Sequence, residues 1–237
     1  GGIVGETWIA GKKKAEEYYK KLAYHDAIAL YERLLKKKED TKAQAQLADC
    51  YRLTGDYQKA AAAYNKATKG DATPETYLHQ AEMLQAIKDY KGAEDAYKKY
   101  LQLNPSDERA INQLAAVQNP VQFDKSNRYT ISNLSINTKY YDFAPTYFKE
   151  GLYFSSDRAT KKASLNEHAW LGTSFFDIYY AKGEKVSFAK ASNVKKDAAS
   201  KYHDAAATFT PDGKSVFFTR NNYIGNKLKK STNKIIK

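Results

Sequence analysis

Two hydrophobic rhythms divide the chain. Up to about residue 118, apolar and small side chains recur every three or four positions, as on one face of a helix. From Val121 the pattern becomes a near-alternation of polar with β-branched and aromatic residues, as in Tyr129-Thr130-Ile131-Ser132-Asn133-Leu134-Ser135-Ile136. The first rhythm predicts pairs of helices of roughly 12–14 residues. The second predicts short strands.

The helical rhythm is itself periodic. Alanines stand at Ala15, Ala48 and Ala81, and again at Ala27, Ala60 and Ala93. Tyrosines stand at Tyr24, Tyr57 and Tyr90, and at Tyr31, Tyr64 and Tyr97. Every series steps by 33 residues. Two helices approach closely only where something small lies at their crossing, a place for Ala48 and Ala60. Tyr57 and Tyr64 are expected to fill the space beside them. Neither helix of a pair buries its apolar face alone, so each pair needs its neighbour.

Local signals place the boundaries. Gly55 suits a left-handed helix end, and Asp56 is placed to cap the next helix. Thr73-Pro74-Glu75 supplies a cap, a proline at the first helical position and an acid in the first turn. Asp89 caps a further helix that Asn104-Pro105 stops. The first pair, from about Ala15 to Leu35, has no capping Asp in its turn Lys21–Tyr24. A last helix, Ser106 to Val117, carries Ile111, Leu114 and Val117 on one face and is expected to cover the open end. Residues 1–14, with Trp8 and Lys12-Lys13-Lys14, read as a short arm that either plugs the first groove or frays.

The alternation Ala48, Tyr51, Tyr57, Ala60, Tyr64, Ala67 resembles the tetratricopeptide repeat, and so does Ala81, Leu84, Tyr90, Ala93, Tyr97, Pro105. The resemblance covers residues 11–117. It implies a groove lined by the first helix of each pair, with Tyr19, Asp49, Arg52, Glu82 and Gln85 as outward candidates. The family's best-known peptide grip clamps a C-terminal carboxylate with Lys and Asn. Asp49 and Glu82 put acids where that clamp needs Asn, which argues against it. A protein partner of another kind, or the chain's own C-terminal half, remains for the groove.

The second half repeats as well. Lys139-Tyr140-Tyr141-Asp142 returns as Lys201-Tyr202-His203-Asp204, and Ala144, Thr146 and Tyr147 return as Ala206, Thr208 and Phe209. Lys149-Glu150-Gly151 returns as Pro211-Asp212-Gly213, a hairpin turn with glycine expected at the positive-φ place. Tyr153-Phe154-Ser155 returns as Phe217-Phe218-Thr219, and Asp177-Ile178-Tyr179-Tyr180 reads as a third strand. The spacing is 62–64 residues. Residues 159–175, with His168 and Trp170, are surplus to a blade and make either a binding loop or a self-packed one.

Phe148 to Arg158 and Phe209 to Phe218 resemble the WD40-like repeat of the TolB type. A ring takes roughly 4–8 blades, and fewer than two are expected here. Lys234-Ile235-Ile236-Lys237 looks like a further strand starting, and strand 129–136 is expected to close the ring by pairing with an absent blade. The expected fold is therefore two domains. An all-α tetratricopeptide-repeat solenoid (15–120, behind the arm 1–14) precedes an all-β, incomplete WD40-like propeller (121–237), the front part of a longer protein.

Charge and chemistry narrow the function. The net charge is +12, and residues 121–237 carry 20 Lys+Arg against 10 Asp+Glu, so the β half holds most of the excess. No helix-turn-helix, zinc or RNA-binding signature accompanies it, so a nucleic-acid partner is not expected. No apolar run reaches the ~18 residues of a membrane span. The one cysteine, Cys50, lies in a predicted helix and reads as a buried, inert thiol. No G-x-S-x-G, H-E-x-x-H, P-loop or G-x-G-x-x-G occurs, and His25, His79, His168 and His203 lack metal-like spacing. No catalytic residue, metal or cofactor is expected. His203, standing where its copy has Tyr141, reads as a packing residue, and Asp142 and Asp204 as turn or cap residues.

Helical repeats followed directly by such blades are similar to the OmpA-family envelope proteins of Bacteroidetes linked to type IX secretion and gliding, the PorE-like group. Ile136 to Tyr140, Gly151 to Arg158, and Tyr202 to Tyr223 carry that likeness. It implies a non-enzymatic periplasmic scaffold associated with the outer membrane. Such a scaffold binds an outer-membrane or secretion/gliding-complex protein and reaches peptidoglycan through a C-terminal OmpA-like domain absent here. A propeller-containing serine peptidase fragment and a stand-alone TolB-like binding accessory are the alternatives.

Overall fold

The computed structural model describes residues 2–120, 129–158, 167–194, 200, 202–221, 223–224 and 227–228. Lys234–Lys237 and 159–166 lie outside them. The chain divides into two units: Gly1–Tyr129 with Ala169–Leu171, and Thr130–His168 with Gly172–Lys237.

The first unit is an all-α solenoid of seven described helices, in which each helix packs on the next. They are α1 Gly2–Lys20, α2 Tyr24–Leu35, α3 Thr41–Leu53, α4 Tyr57–Ala67, α5 Pro74–Ala86, α6 Tyr90–Leu103 and α7 Glu108–Gln118. The side chains of Asp40, Asp56, Thr73, Asp89 and Asp107 each accept a backbone N–H three residues on, satisfying donors that a helix start leaves open. α2 has Ala23 at the capping position and no such bond. Gly55 takes a φ of 86°, which a Cβ would oppose.

The alanine series lies at the seams: Ala15, Ala27, Ala48, Ala60, Ala81 and Ala93 are all fully buried. Tyr31, Tyr64 and Tyr97 fill the space beside them. Tyr57 does not, being 47% exposed. It holds the first position of α4, directly after the Asp56 cap. Tyr24, at the same first position of α2, is buried, so the position alone does not decide the exposure.

The expected arm is not separate. Residues 2–20 run as one helix, held against the end of α2. The Trp8 indole N–H donates to the Leu34 carbonyl at 3.2 Å, and Lys12 pairs with Asp40 at 2.6 Å. Trp8 therefore neither plugs a groove nor frays.

The second unit is β-rich, and no closed barrel or propeller ring forms among the described residues. β1 (Asp142–Phe148), β2 (Gly151–Ser156) and β5 (Asp177–Glu184) run antiparallel in that order. Two short hairpin strands, β3 (Glu167–His168) and β4 (Thr173–Ser174), pair with each other. β6 (Ser187–Phe188) and β7 (Ser192–Asn193) both pair with β5. A second hairpin joins β8 (Asp204–Phe209) to β9 (Val216–Arg220), with β8 packed against β1 and β2. β10 (Tyr223–Ile224) and β11 (Lys227–Leu228) pair with each other. Ile136, Leu152, Phe154, Tyr179 and Ala181 form the core.

The two hairpins repeat in backbone detail. Each has a register break, at Phe143/Thr146 and at Ala205/Thr208, and the alanine inside it takes a positive φ: 50° at Ala144 and 54° at Ala206. The turns differ. Gly213 has the expected positive φ of 71°, but in the first hairpin Lys149 takes that role at 52°. Gly151 instead lies in β2, where an added Cβ would come within 2.4 Å of the Tyr180 ring. Residues 129–136 are not a strand. Ile131 is 93% exposed, while Ile136 enters the core and Leu134 packs against it; no neighbouring strand among the described residues offers the segment a ladder.

Candidate protein-binding face

The odd-numbered helices present one face, and side chains tie each to the next along it. Tyr19 on α1 donates its hydroxyl to Asp49 Oδ2 on α3 at 3.0 Å. His79 on α5 lies 3.5 Å from Asp49 Oδ1. Gln85 on α5 donates to Gln113 on α7 at 3.0 Å, and Arg109 on α7 pairs with Glu82 at 2.7 Å.

The buried tyrosines meet this row from beneath. Tyr64 donates to Asp49 Oδ1 at 2.5 Å and accepts from Arg52 Nε at 3.1 Å, while a second Arg52 nitrogen reaches the same carboxylate at 3.1 Å. Tyr97 donates to Gln85 Oε1 at 2.8 Å, and Tyr31 to Gln46 Oε1 at 3.0 Å. Burial pushes the Asp49 carboxyl up, but hydrogen bonds from His79, Tyr64 and Arg52 outweigh it and bring it down to about 2. Burial and the adjacent carboxylate raise the Tyr64 phenol well above its ordinary value. Asp49 is thus a fixed anion and Tyr64 a fixed donor.

All five groove candidates lie on this face, in two groups. Tyr19, Asp49 and Arg52 form one around the Asp49 carboxylate. Glu82 and Gln85 form the other, with α7. Sequence reasoning missed Tyr64, His79, Tyr97, Arg109 and Gln113 as members. The tyrosines were legible: phenylalanine would fill the same space, so a hydroxyl recurring at positions 31, 64 and 97 asks for a polar partner at each. Cys50, beside this row, is fully buried and its thiol is pushed up to about 12 by burial, as an inert thiol requires.

The loop candidates separate. Trp170 belongs to the helical unit, where its indole N–H donates to the Leu53 carbonyl at 2.8 Å and its ring meets Tyr24 edge-on at 4.9 Å. His168 stays in the β unit, packed with Phe175, Phe176 and His203. Burial lowers both imidazoles, His203 to about 4, so both are neutral near pH 7. Each Asp of the repeated pair does cap a turn: Asp142 Oδ2 accepts from Thr138 N at 3.0 Å, and Asp204 Oδ2 from Ser200 N at 2.5 Å. Each also binds an arginine, Arg158 at 2.5 Å and Arg220 at 2.6 Å. Among the described residues no cluster of three metal-ligating side chains occurs, and no helix is long and apolar enough to cross a membrane.

Residues 20–100 match the family described as anaphase-promoting complex, cyclosome, subunit 3. The helical half is an array of tetratricopeptide-type repeats. Solved structures similar to this array include the first repeat domain of Spaghetti (RPAP3) bound to an HSP90 peptide, at 19% identity and a TM-score of 0.43 over 49% of this chain and 94% of that one. The Yersinia enterocolitica type III secretion chaperone SycD, in complex with a peptide of the translocator YopD, is similar at 21% identity and 0.43 over 50% and 97%. PcrH in complex with the chaperone-binding region of PopB is similar at 20% and 0.39 over 49% and 96%. No curated protein matches the chain. Tetratricopeptide-type domains are protein-interaction scaffolds.

Proposed function

We propose that the chain is a non-enzymatic scaffold of the bacterial envelope, periplasmic and associated with the outer membrane. Its repeat array holds a segment of an outer-membrane or secretion/gliding-complex protein along the face of the odd helices. Its β unit is an arc of a WD40-like propeller, and peptidoglycan is reached through an OmpA-like domain outside this sequence. The observation that carries the binding role is the row of side-chain bonds joining α1, α3, α5 and α7 around Asp49 and Gln85. A face whose polar groups are already fixed loses little conformational entropy when a partner docks. The repeated hairpins with their matching register breaks support the blade reading. The envelope assignment rests on the sequence likeness alone.

The test compares this chain with the product of the whole gene. The chain should retain an outer-membrane protein in a pull-down yet leave purified peptidoglycan in suspension, while the full product co-sediments with it. Because the β half is basic, the assay runs at ~0.15 M salt and above, where non-specific attraction is screened within ~8 Å. Salt-resistant pelleting of the chain alone, or a gene without a wall-binding domain, overturns the reading.

A further inference from the structure

The opposite side of the array has a binding feature of its own. Between α2 and α4, over α3, lies an open cleft of about 780 Å³. Its floor is apolar: Leu35, Leu47, Tyr51 and Ala63 line it. Ala62, exposed on α4, keeps one wall low. The volume lies in the ~300–1,000 Å³ range of ligand-holding clefts, and the apolar floor is ringed by charged and polar side chains.

The charges around the cleft are not equally available. Glu32 accepts the Tyr51 hydroxyl, Asp40 is held by Lys12 and the Ala43 N–H, and Lys59 pairs with Asp56 at 3.0 Å. Among the described residues, the side chains of Lys36, Lys66, Lys69 and Glu39 have no ion-pair partner. The unengaged charge is three cations against one anion. Lys66 stands on the α4 wall and Lys69 in the turn just after it; from Lys59 to Lys66 that wall runs about 10 Å, or two helical turns.

We propose that this cleft is a second docking site, for an acidic amphipathic helix: apolar anchors on the Leu47–Tyr51 floor, carboxylates toward Lys66 and Lys69. The proposal does not rest on the face of the odd helices, which lies on other side chains. An apolar stripe seated in a groove with charges matched along its rim is the usual helix-in-groove mode.

The experiment uses the whole chain and two fluorescent 14-residue probe peptides. Both carry leucines at helical spacing; one has glutamates at the remaining positions and the other lysines. The glutamate probe should bind and the lysine probe should not. The double change Lys66→Glu, Lys69→Glu should weaken binding by about tenfold or more, since like charges then face each other. Ala62→Trp, which fills the cleft without altering charge, should weaken it comparably. Glu82→Gln on the opposite face should change it less than about twofold. All four positions are at least partly accessible, and unchanged helical circular dichroism confirms folding. Equal binding of both probes, retention by the Ala62→Trp variant, or loss with Glu82→Gln overturns the proposal.

Discussion

Replacing Tyr64 with phenylalanine removes one oxygen atom from the centre of the repeat array and leaves the packed ring in place. That oxygen donates to Asp49 at 2.5 Å and accepts from Arg52 at 3.1 Å. Asp49 then keeps Tyr19, Arg52 and His79, but loses its shortest bond, and Arg52 Nε loses its acceptor. A hydrogen bond to a charged group contributes about 1.5–3 kcal/mol. Asp49 is one-fifth exposed at the side chain, so solvent replaces little of the loss. For a unit of about 120 residues, roughly 4 °C of melting temperature follow each kcal/mol, giving a drop of about 6–12 °C. The assay is thermal unfolding of the whole chain followed by helical circular dichroism, with Asp49→Asn and the double variant completing a cycle. In the Asp49→Asn background, Tyr64→Phe should cost less than half as much, because the charge it stabilised is gone. The acid limb supplies a second readout. Asp49 is depressed to about 2, so its contribution is present above the ordinary carboxylate value and is lost as pH falls toward 2; the Tyr64→Phe variant should lose it at higher pH. A melting temperature within 1 °C of the parent, or strict additivity in the cycle, would refute the reasoning.

Further outcomes test other parts of the molecule. Ala60→Leu places three extra carbons at a fully buried seam and should lower helical stability by about 1–3 kcal/mol, read from urea midpoints. His203 is depressed to about 4, so the unfolded chain takes up its proton first; the β unit should lose stability as pH falls from about 6.5 to about 4, and His203→Gln should remove part of that slope in near-ultraviolet circular dichroism. Arg220→Ala removes the counter-charge of the fully buried Asp204 carboxylate, leaving it the Ser200 N–H, and should destabilise the β unit by about 3–5 kcal/mol. Hydrogen exchange of β8 amides should rise well before that of β5; equal protection would show that Asp204 has found another partner.

The repeat array was legible because its signals are local. A cap needs only the next three backbone N–H groups, and a seam needs only a small residue every 33 positions, so Asp56, Asp89 and the alanine series could be read from spacing alone. Tyr57 broke the pattern: it is 47% exposed while Tyr24, at the same position one repeat earlier, is buried, a difference that spacing does not carry. The hairpins were legible for the same local reason, through recurring turns and aromatic strands. Which residue takes the positive φ was not: a Cβ at Gly151 would meet Tyr180, so the glycine serves close approach and Lys149 bends the turn.

What only the tertiary structure decided is which distant groups share a site. Tyr19 and Asp49 are 30 residues apart, and Gln85 and Gln113 are 28 apart. They meet because stacking returns each first helix to the same face, and that stacking also fixes the Asp49 carboxylate as an anion. Residues 129–136 show the converse. Their alternation is strand-like, but a strand exists only where a neighbour accepts and donates its backbone hydrogen bonds, and among the described residues none does. The sequence by itself determined the helices, their caps and their period, because those energies come from the nearest few residues. The polar face of the odd helices, the cleft behind it and the fate of the lone extended segment were decided by packing, because those energies come from residues the chain brings together only when folded.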